Sequence, residues 1–249
     1  MMARFAFLKF SHLMLAGFAA LTLSACSSTQ ATDPNDPLEG YNRVMFAVND
    51  VVDQAVLRPV AKGYRFAVPQ PARTGVRNFL RNLRAPVNLA NEALQGDMAG
   101  VENVLVRTSV NTLIGVGGLI DVAGMEGYPY EQEDFGQTLG VWGMGHGAYV
   151  ILPLMGPSSL RDGTGMLVDG FMDPLRWYLF NTEREGWHYA RMGMTVIDSR
   201  EELLDALDDL RRNSFDYYAA TRSAYLQRRE ALVNDMDPGM GGVAIPDYD

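Results

Sequence analysis

Apolar residues at Val44, Val48, Val51, Val52 and Ala55 recur at helical spacing between Tyr41 and Leu57, which predicts a first helix there. The segment Pro69-Gln70-Pro71-Ala72-Arg73 interrupts the pattern. A second helix is expected over 72–83, with Val76, Phe79, Leu80 and Leu83 as its core stripe. Residues 86–95 and 98–114 read as two further helices, separated by Gln95-Gly96-Asp97. Ser199-Arg200-Glu201-Glu202 has the spacing of a capping box, opening a helix through Leu210. Phe215, Tyr218, Ala219, Arg222, Tyr225 and Leu226 mark a final helix. Strand alternation is scarce and no internal repeat is present. The expected class is mainly α, built of amphipathic helices with glycine-rich breaks.

Two such breaks stand out: residues 113–124 (LIGVGGLIDVAG) and residues 140–165 (GVWGMGHGAYVILPLMGPSSLRDGTG), the latter with seven glycines among aromatic, aliphatic and methionine side chains. Neither is a phosphate cradle. The run at 115–118 lacks Gly-x-Gly-x-x-Gly spacing, and no Walker lysine follows any glycine loop. Glycine instead lets backbones pack closely or turn with positive φ. Gly115, Gly117, Gly118, Gly143 and Gly145 are therefore candidates for a close-packed wall beside an apolar path.

The N-terminus sets the expected compartment. Arg4 and Lys9 precede a largely apolar run from Leu13 to Leu23, and small residues lead to the single cysteine in Leu23-Ser24-Ala25-Cys26. This is the layout of a secretory signal peptide over 1–25, ending at a bacterial lipobox. Cleavage leaves Cys26 as a diacylglycerol-bearing N-terminus, and each buried methylene adds about 0.8 kcal/mol of anchoring. Ser27 follows, where an aspartate would resemble an inner-membrane retention signal, so the outer membrane, facing the periplasm, is favoured. Residues 26–37 read as a polar tether, 38–232 as the helical domain, and 233–249 as a disordered acidic tail.

The formal net charge of −9 becomes −11 once residues 1–25, with two positive charges and no acid, are removed. That acidity in a secreted chain argues against nucleic acid as a partner. The charge is unevenly placed. Residues 42–84 carry +6, and the rest of the mature chain −17. On the helix from Ala72, Arg73, Arg77, Arg81 and Arg84 form a stripe about a quarter-turn from the apolar one, suited to head groups or to an anionic membrane interface. The competing reading is a solvated face with acidic partners inside the molecule.

Catalytic chemistry finds little support. With two histidines, His146 and His188, and no thiol beyond Cys26, the mature chain offers a poor metal-ligand set, and no cofactor is expected besides the covalent lipid. No Gly-x-Ser-x-Gly elbow occurs. Ser158, Ser159, His146 and Asp162 are near one another in sequence, which alone does not make a triad. No mature segment has 18 consecutive apolar residues.

Several segments resemble the MlaA/VacJ outer-membrane lipoproteins: residues 36–50 (DPLEGYNRVMFAVND), 57–65 (LRPVAKGYR), 68–97 (VPQPARTGVRNFLRNLRAPVNLANEALQGD), 111–124 (NTLIGVGGLIDVAG), 134–165 and 224–229 (AYLQRR). Ala148 stands where that family usually has proline, and Thr108 where an aromatic is common. The resemblance implies a ring-like or disc-like helical domain in the inner leaflet of the outer membrane, without enzymatic activity. It implies an amphipathic channel through which phospholipids mislocalised to the outer leaflet are removed. The implied partners are phospholipid, a trimeric porin and a soluble periplasmic lipid carrier. A lipid-anchored envelope hydrolase and a porin-associated scaffold are the alternatives.

The anchor reading makes a direct prediction. Cys26→Ala should leave uncleaved precursor or protein misplaced in the periplasm and inner membrane. Mass spectrometry of the wild-type N-terminus should show a diacylated Cys26, and an unmodified Cys26 or cleavage elsewhere overturns the anchor.

Overall fold

Short polar side chains set where the helices of this chain begin. Asp97, Asp134, Ser159, Asp173 and Asp216 each accept a hydrogen bond from a backbone N–H in the following first turn, at 2.9–3.1 Å. The computed structural model describes residues 36–235, so Cys26, the signal peptide, most of the tether and residues 236–249 lie outside the described residues. The elements in order are α1 (Glu39–Val52), a π-helical turn (Asp53–Leu57), α2 (Arg58–Ala67), α3 (Gln70–Gln95), α4 (Met98–Leu113), α5 (Val122–Met125), α6 (Phe135–Val141), β1 (Tyr149–Leu152), β2 (Gly156–Ser159), α7 (Leu160–Met172), α8 (Pro174–Asn181), α9 (Glu185–Glu202), α10 (Leu204–Asn213) and α11 (Tyr217–Val233). The chain is mainly helical, as its periodicity indicates.

Three local expectations need correction. The helices expected at 72–83 and 86–95 are one, α3, with Pro86 inside it and exposed. Proline removes one backbone bond, and the packing of α3 on α4 and α6 carries the helix through. Ser199 does not open a helix but lies within α9, because Asp198 and Glu201 must face the arginines of α3. The α9 end is fixed by Arg65 Nη2, which donates to the Glu201 carbonyl at 2.7 Å. The stretch 149–159 forms an antiparallel hairpin, pairing Tyr149 with Ser159 and Leu152 with Gly156.

The interior is unusually polar. A small apolar cluster of Met45, Tyr149, Ile151 and Tyr218 joins α1, β1 and α11. Around it the buried side chains are largely asparagine, aspartate, glutamate and arginine. Asn42 and Asn49, two turns apart on α1, stand in for a third strand along β1. Asn42 Nδ2 donates to the Tyr149 carbonyl at 3.0 Å and its Oδ1 accepts from Ile151 N at 2.8 Å. Asn49 does the same with the Leu152 carbonyl, at 2.9 Å, and Leu154 N, at 2.8 Å. Asp36, fully buried, accepts from Asn42 Nδ2 at 2.9 Å and from Arg222 at 3.0 Å, and bonds the Tyr218 hydroxyl. The carboxamides thereby satisfy an edge that would otherwise offer unpaired backbone groups.

A seam of ion pairs fastens α1–α3 to α9–α10. Arg58 meets Asp208 at 2.8 Å, Arg65 meets Glu201 at 2.8 Å and Asp205 at 2.9 Å, and Arg200 meets Asp53 at 2.6 Å. Arg211 pairs with Asp50. The expected arginine stripe of α3 belongs to this seam. Arg73 donates to the carbonyls of Arg65 and Val68 and lies 3.3 Å from Glu201. Arg77 reaches Asp198 at 3.0 Å, Glu201 at 3.1 Å and Glu202 at 3.3 Å. Arg81 lies 3.5 Å from Glu202, and Arg84 lies 3.7 Å from Asp169 and donates to the Glu133 carbonyl. In the stripe expected to meet lipid head groups or the membrane interface, Arg73 and Arg77 pair within the molecule because α9 carries matching carboxylates, whereas Arg81 and Arg84 are held only at 3.5 and 3.7 Å. The supposed core stripe is also looser than expected: Phe79 is exposed, and Val76, Leu80 and Leu83 are only partly buried.

Two outcomes are expected. Arg77→Ala leaves Asp198 buried without its counter-charge, while Glu201 keeps Arg65 and Arg73, which should cost ~3 kcal/mol of stability by denaturant unfolding; a change within error assigns the seam no such role. Burial and neighbouring carboxylates push Glu92 up to about 8 and Glu133 to about 7, from an ordinary 4.5. As pH rises above 4.5 the unfolded chain releases protons that the folded state keeps, so stability is fullest below 4.5 and falls until both groups ionise near 7 and 8. Glu92→Gln should therefore melt higher than the wild type at pH 8, with the gap closing toward pH 4 in thermal scans.

Candidate functional site

The apolar side chains left out of the small core point outward. On α1, the π-helical turn and α2 these are Val44, Val48, Val51, Val56, Val60 and Phe66; the last is 94% exposed. The end of α4 and the following turn add Leu113, Ile114 and Val116, and the hairpin tip adds Leu154 and Met155. On α7 Leu167 and Phe171 are exposed, and on α8 and α9 Trp177, Tyr178, Trp187 and Tyr189. The α1 valines that gave the first helical signal are thus an outer face. Water-facing surfaces rarely carry so much apolar area, and tryptophan and tyrosine favour the level of lipid head groups. Among the described residues no helix is long and apolar enough to cross a membrane. Amphipathic helices of this kind seat themselves within one interface.

The five candidate wall glycines do not share one environment. Gly115 and Gly118 are buried in the turn after α4. A Cβ on Gly115 would lie 2.2 Å from the Ile120 carbonyl, and one on Gly118 2.7 Å from Asn82. Gly117 and Gly143 face open space but hold φ of +69° and +91°. Gly145 has open space and no such backbone demand. Gly115 therefore serves close packing, Gly118 both close packing and a φ of +95°, Gly117 and Gly143 serve chain reversal, and Gly145 alone leaves room for a side chain. The loop holding Gly143 and Gly145 is pinned where Trp142 Nε1 donates to the Leu94 carbonyl at 3.0 Å.

A polar cleft opens between α3 and α4, closed over by Tyr130 and Glu131. It has room of about 20 Å³, enough for one water-sized centre. Arg81, but not Arg73, Arg77 or Arg84, lines it. The guanidinium groups of Arg81 and Arg107 lie 4.6 and 5.6 Å from the Tyr130 ring centre. Arg107 is occupied by Asp121, at 2.9 and 3.0 Å, and by the Tyr128 carbonyl. Sequence reading missed the carboxamides here, Asn78, Asn82 and Asn88 on α3 and Asn103 and Asn111 on α4. The available signal was asparagine repeated inside helices, where it is intrinsically disfavoured. A wider depression of about 610 Å³ lies beside α11, bordered by Pro37, His146, Ala148, Arg222 and Glu230.

Hydrolytic groups do not assemble. Ser159 Oγ caps α7 by accepting from Asp162 N at 3.0 Å. Asp162 pairs with Arg161 at 3.0 Å and Arg229 at 2.8 Å and bonds the Tyr225 hydroxyl, while His146 contacts the Gly147 carbonyl. Together, buried Arg229 and Arg161 and the Tyr225 hydrogen bond outweigh burial and hold the Asp162 carboxyl below its usual range. Among the described residues no cluster of histidine, cysteine and carboxylates could hold a metal ion.

Comparison with known proteins follows the same lines. The family model described as MlaA lipoprotein matches residues 34–232. The chain is 41% identical over 231 residues to the intermembrane phospholipid transport system lipoprotein MlaA of Escherichia coli K12, covering 91% of this chain and 89% of that protein. Its counterpart of the same description in Haemophilus influenzae is 32% identical over 236 residues, with 92% of each covered. An uncharacterised protein of Rickettsia felis is 35% identical over 199 residues, 80% of this chain and 78% of that one. A solved structure reported under "Structural basis for maintenance of bacterial outer membrane lipid asymmetry" superposes with a TM-score of 0.70 at 42% identity, covering 80% of this chain and 99% of the other. With the matched family region spanning nearly all of the described helices, the chain belongs to the MlaA lipoprotein family.

Proposed function

We propose that this protein is an outer-membrane lipoprotein that removes phospholipids misplaced in the outer leaflet and passes them to a soluble periplasmic carrier, beside a trimeric porin. The observation that carries this reading is the inverted burial: apolar side chains of α1, α7, α8 and α9 face outward while arginines, carboxylates and asparagines fill the interior. Such a body is matched to acyl chains outside and to polar head groups inside. The relatives' description as components of an intermembrane phospholipid transport system supports the same substrate class. Lipid movement needs no nucleophile and no metal; it needs a polar surface that a head group can follow through an apolar surround. No bond is made or broken in this reading, so the protein acts by lowering the cost of moving a head group past lipid.

Loss of the protein should raise outer-leaflet phospholipid in cells. Normal asymmetry in the deletion strain, with porin association of the wild type intact, would instead establish a structural scaffold. Single glycine variants refine the route. Gly115→Val and Gly118→Val should lower protein abundance, since overpacking a tight site costs ~1–3 kcal/mol. Gly145→Val should fold normally, and accumulation of outer-leaflet phospholipid at normal abundance places its loop on the lipid route. Unchanged asymmetry removes Gly145 from that route.

A further inference from the structure

The carboxamides of the α3–α4 cleft are oriented by what they donate to. Asn88 Nδ2 donates to the Glu131 carbonyl at 3.0 Å. Asn103 Nδ2 donates to the Pro129 carbonyl at 3.1 Å and to the Glu131 carboxylate at 2.6 Å. Every one of these partners is an acceptor only, so the nitrogen positions are fixed and the oxygens are the atoms left over. Both Oδ1 atoms are buried and neither has a protein partner. Asn88 itself is only 2% exposed. Buried acceptors are normally satisfied, and two in one cleft call for a donor from outside the chain.

The chemistry of that donor is narrow. The cleft admits one water-sized centre, about 20 Å³. The Glu131 carboxylate lines the cleft and accepts from Asn103 Nδ2, which favours a positive charge there and disfavours an anion. A primary ammonium offers three N–H donors and no acceptor, and it is close to water in size. A trimethylammonium is too large and donates nothing. A hydroxyl fits but brings no charge. At the rim, Arg81 holds Glu202 only at 3.5 Å, longer than a strong charge-assisted bond, whereas Arg107 is fully engaged by Asp121. Arg81 is thus the cation available to a phosphate next to the bound ammonium.

We propose that the α3–α4 cleft is a head-group subsite for an aminophospholipid, with the primary ammonium held by Asn88, Asn103 and Glu131 and the phosphate turned toward Arg81. This rests on the phospholipid-transport reading and adds a preference to it: ethanolamine head groups over choline and glycerol ones.

The test uses the full-length, lipidated protein in detergent, equilibrated with mixed micelles containing equal amounts of phosphatidylethanolamine, phosphatidylglycerol and phosphatidylcholine. Native mass spectrometry then reads the bound lipid. The wild type should carry a severalfold excess of phosphatidylethanolamine. Asn88→Leu and Asn103→Leu should lower bound phosphatidylethanolamine until the three lipids approach parity, while helical circular dichroism stays unchanged. Asn103 is only half-buried, so its variant decides the matter even where Asn88→Leu fails to accumulate. Equal binding by the wild type means that water satisfies the two oxygens, and it overturns the subsite while leaving transport standing. An excess that survives in the folded variants overturns it as well. Absence of any bound phospholipid overturns instead the reading on which the subsite rests.

Discussion

An apolar exterior deprives this fold of the usual reason to collapse. On the membrane-facing reading proposed above, burying a leucine gains little, because lipid is as apolar as any protein core. Cohesion must then come from polar groups that have no better partner than each other. The arginine–carboxylate seam between α3 and α9 and the carboxamides of Asn42 and Asn49 along β1 are the result. Planar guanidinium groups suit this task, since one Arg77 side chain can meet Asp198, Glu201 and Glu202 together. Each such pair stabilises less than hydrophobic packing would in water, yet removing one partner leaves a charge stranded.

The same constraint shapes what the molecule can do. A polar interior beneath an apolar coat places head-group chemistry and acyl-chain chemistry within one body. The α3–α4 cleft, the aromatic residues of α8 and α9, and the exposed tip at Leu154 and Met155 are three faces of that division. The membership in the MlaA lipoprotein family is consistent with it: a protein that moves amphiphiles must itself tolerate both environments.

Much of the helical content was legible, because apolar spacing survives inversion. The α1 valines recur at the same period whether they face a core or a lipid. Their direction was not legible, since period carries no sign. The partners of the arginine stripe were not legible for a related reason: Arg73, Arg77 and Arg81 form a row on α3 in any environment, and the carboxylates they meet sit on α9 more than a hundred residues later. Pro86 and Ser199 carried local signals of a helix end and a helix start, and long-range packing overrode both. The hairpin was hidden because half of its edge is completed by asparagine side chains rather than by another strand. The family segments, in contrast, covered the glycine turns without explaining them.

The charge asymmetry between the two halves has a consequence for biogenesis. The ribosome delivers the cationic stretch 42–84 first, and the carboxylates of Asp198, Glu201, Asp205 and Asp208 emerge more than a hundred residues afterwards. The seam can therefore close only between segments more than a hundred residues apart, and the loop-closure entropy must be offset before its ion pairs contribute.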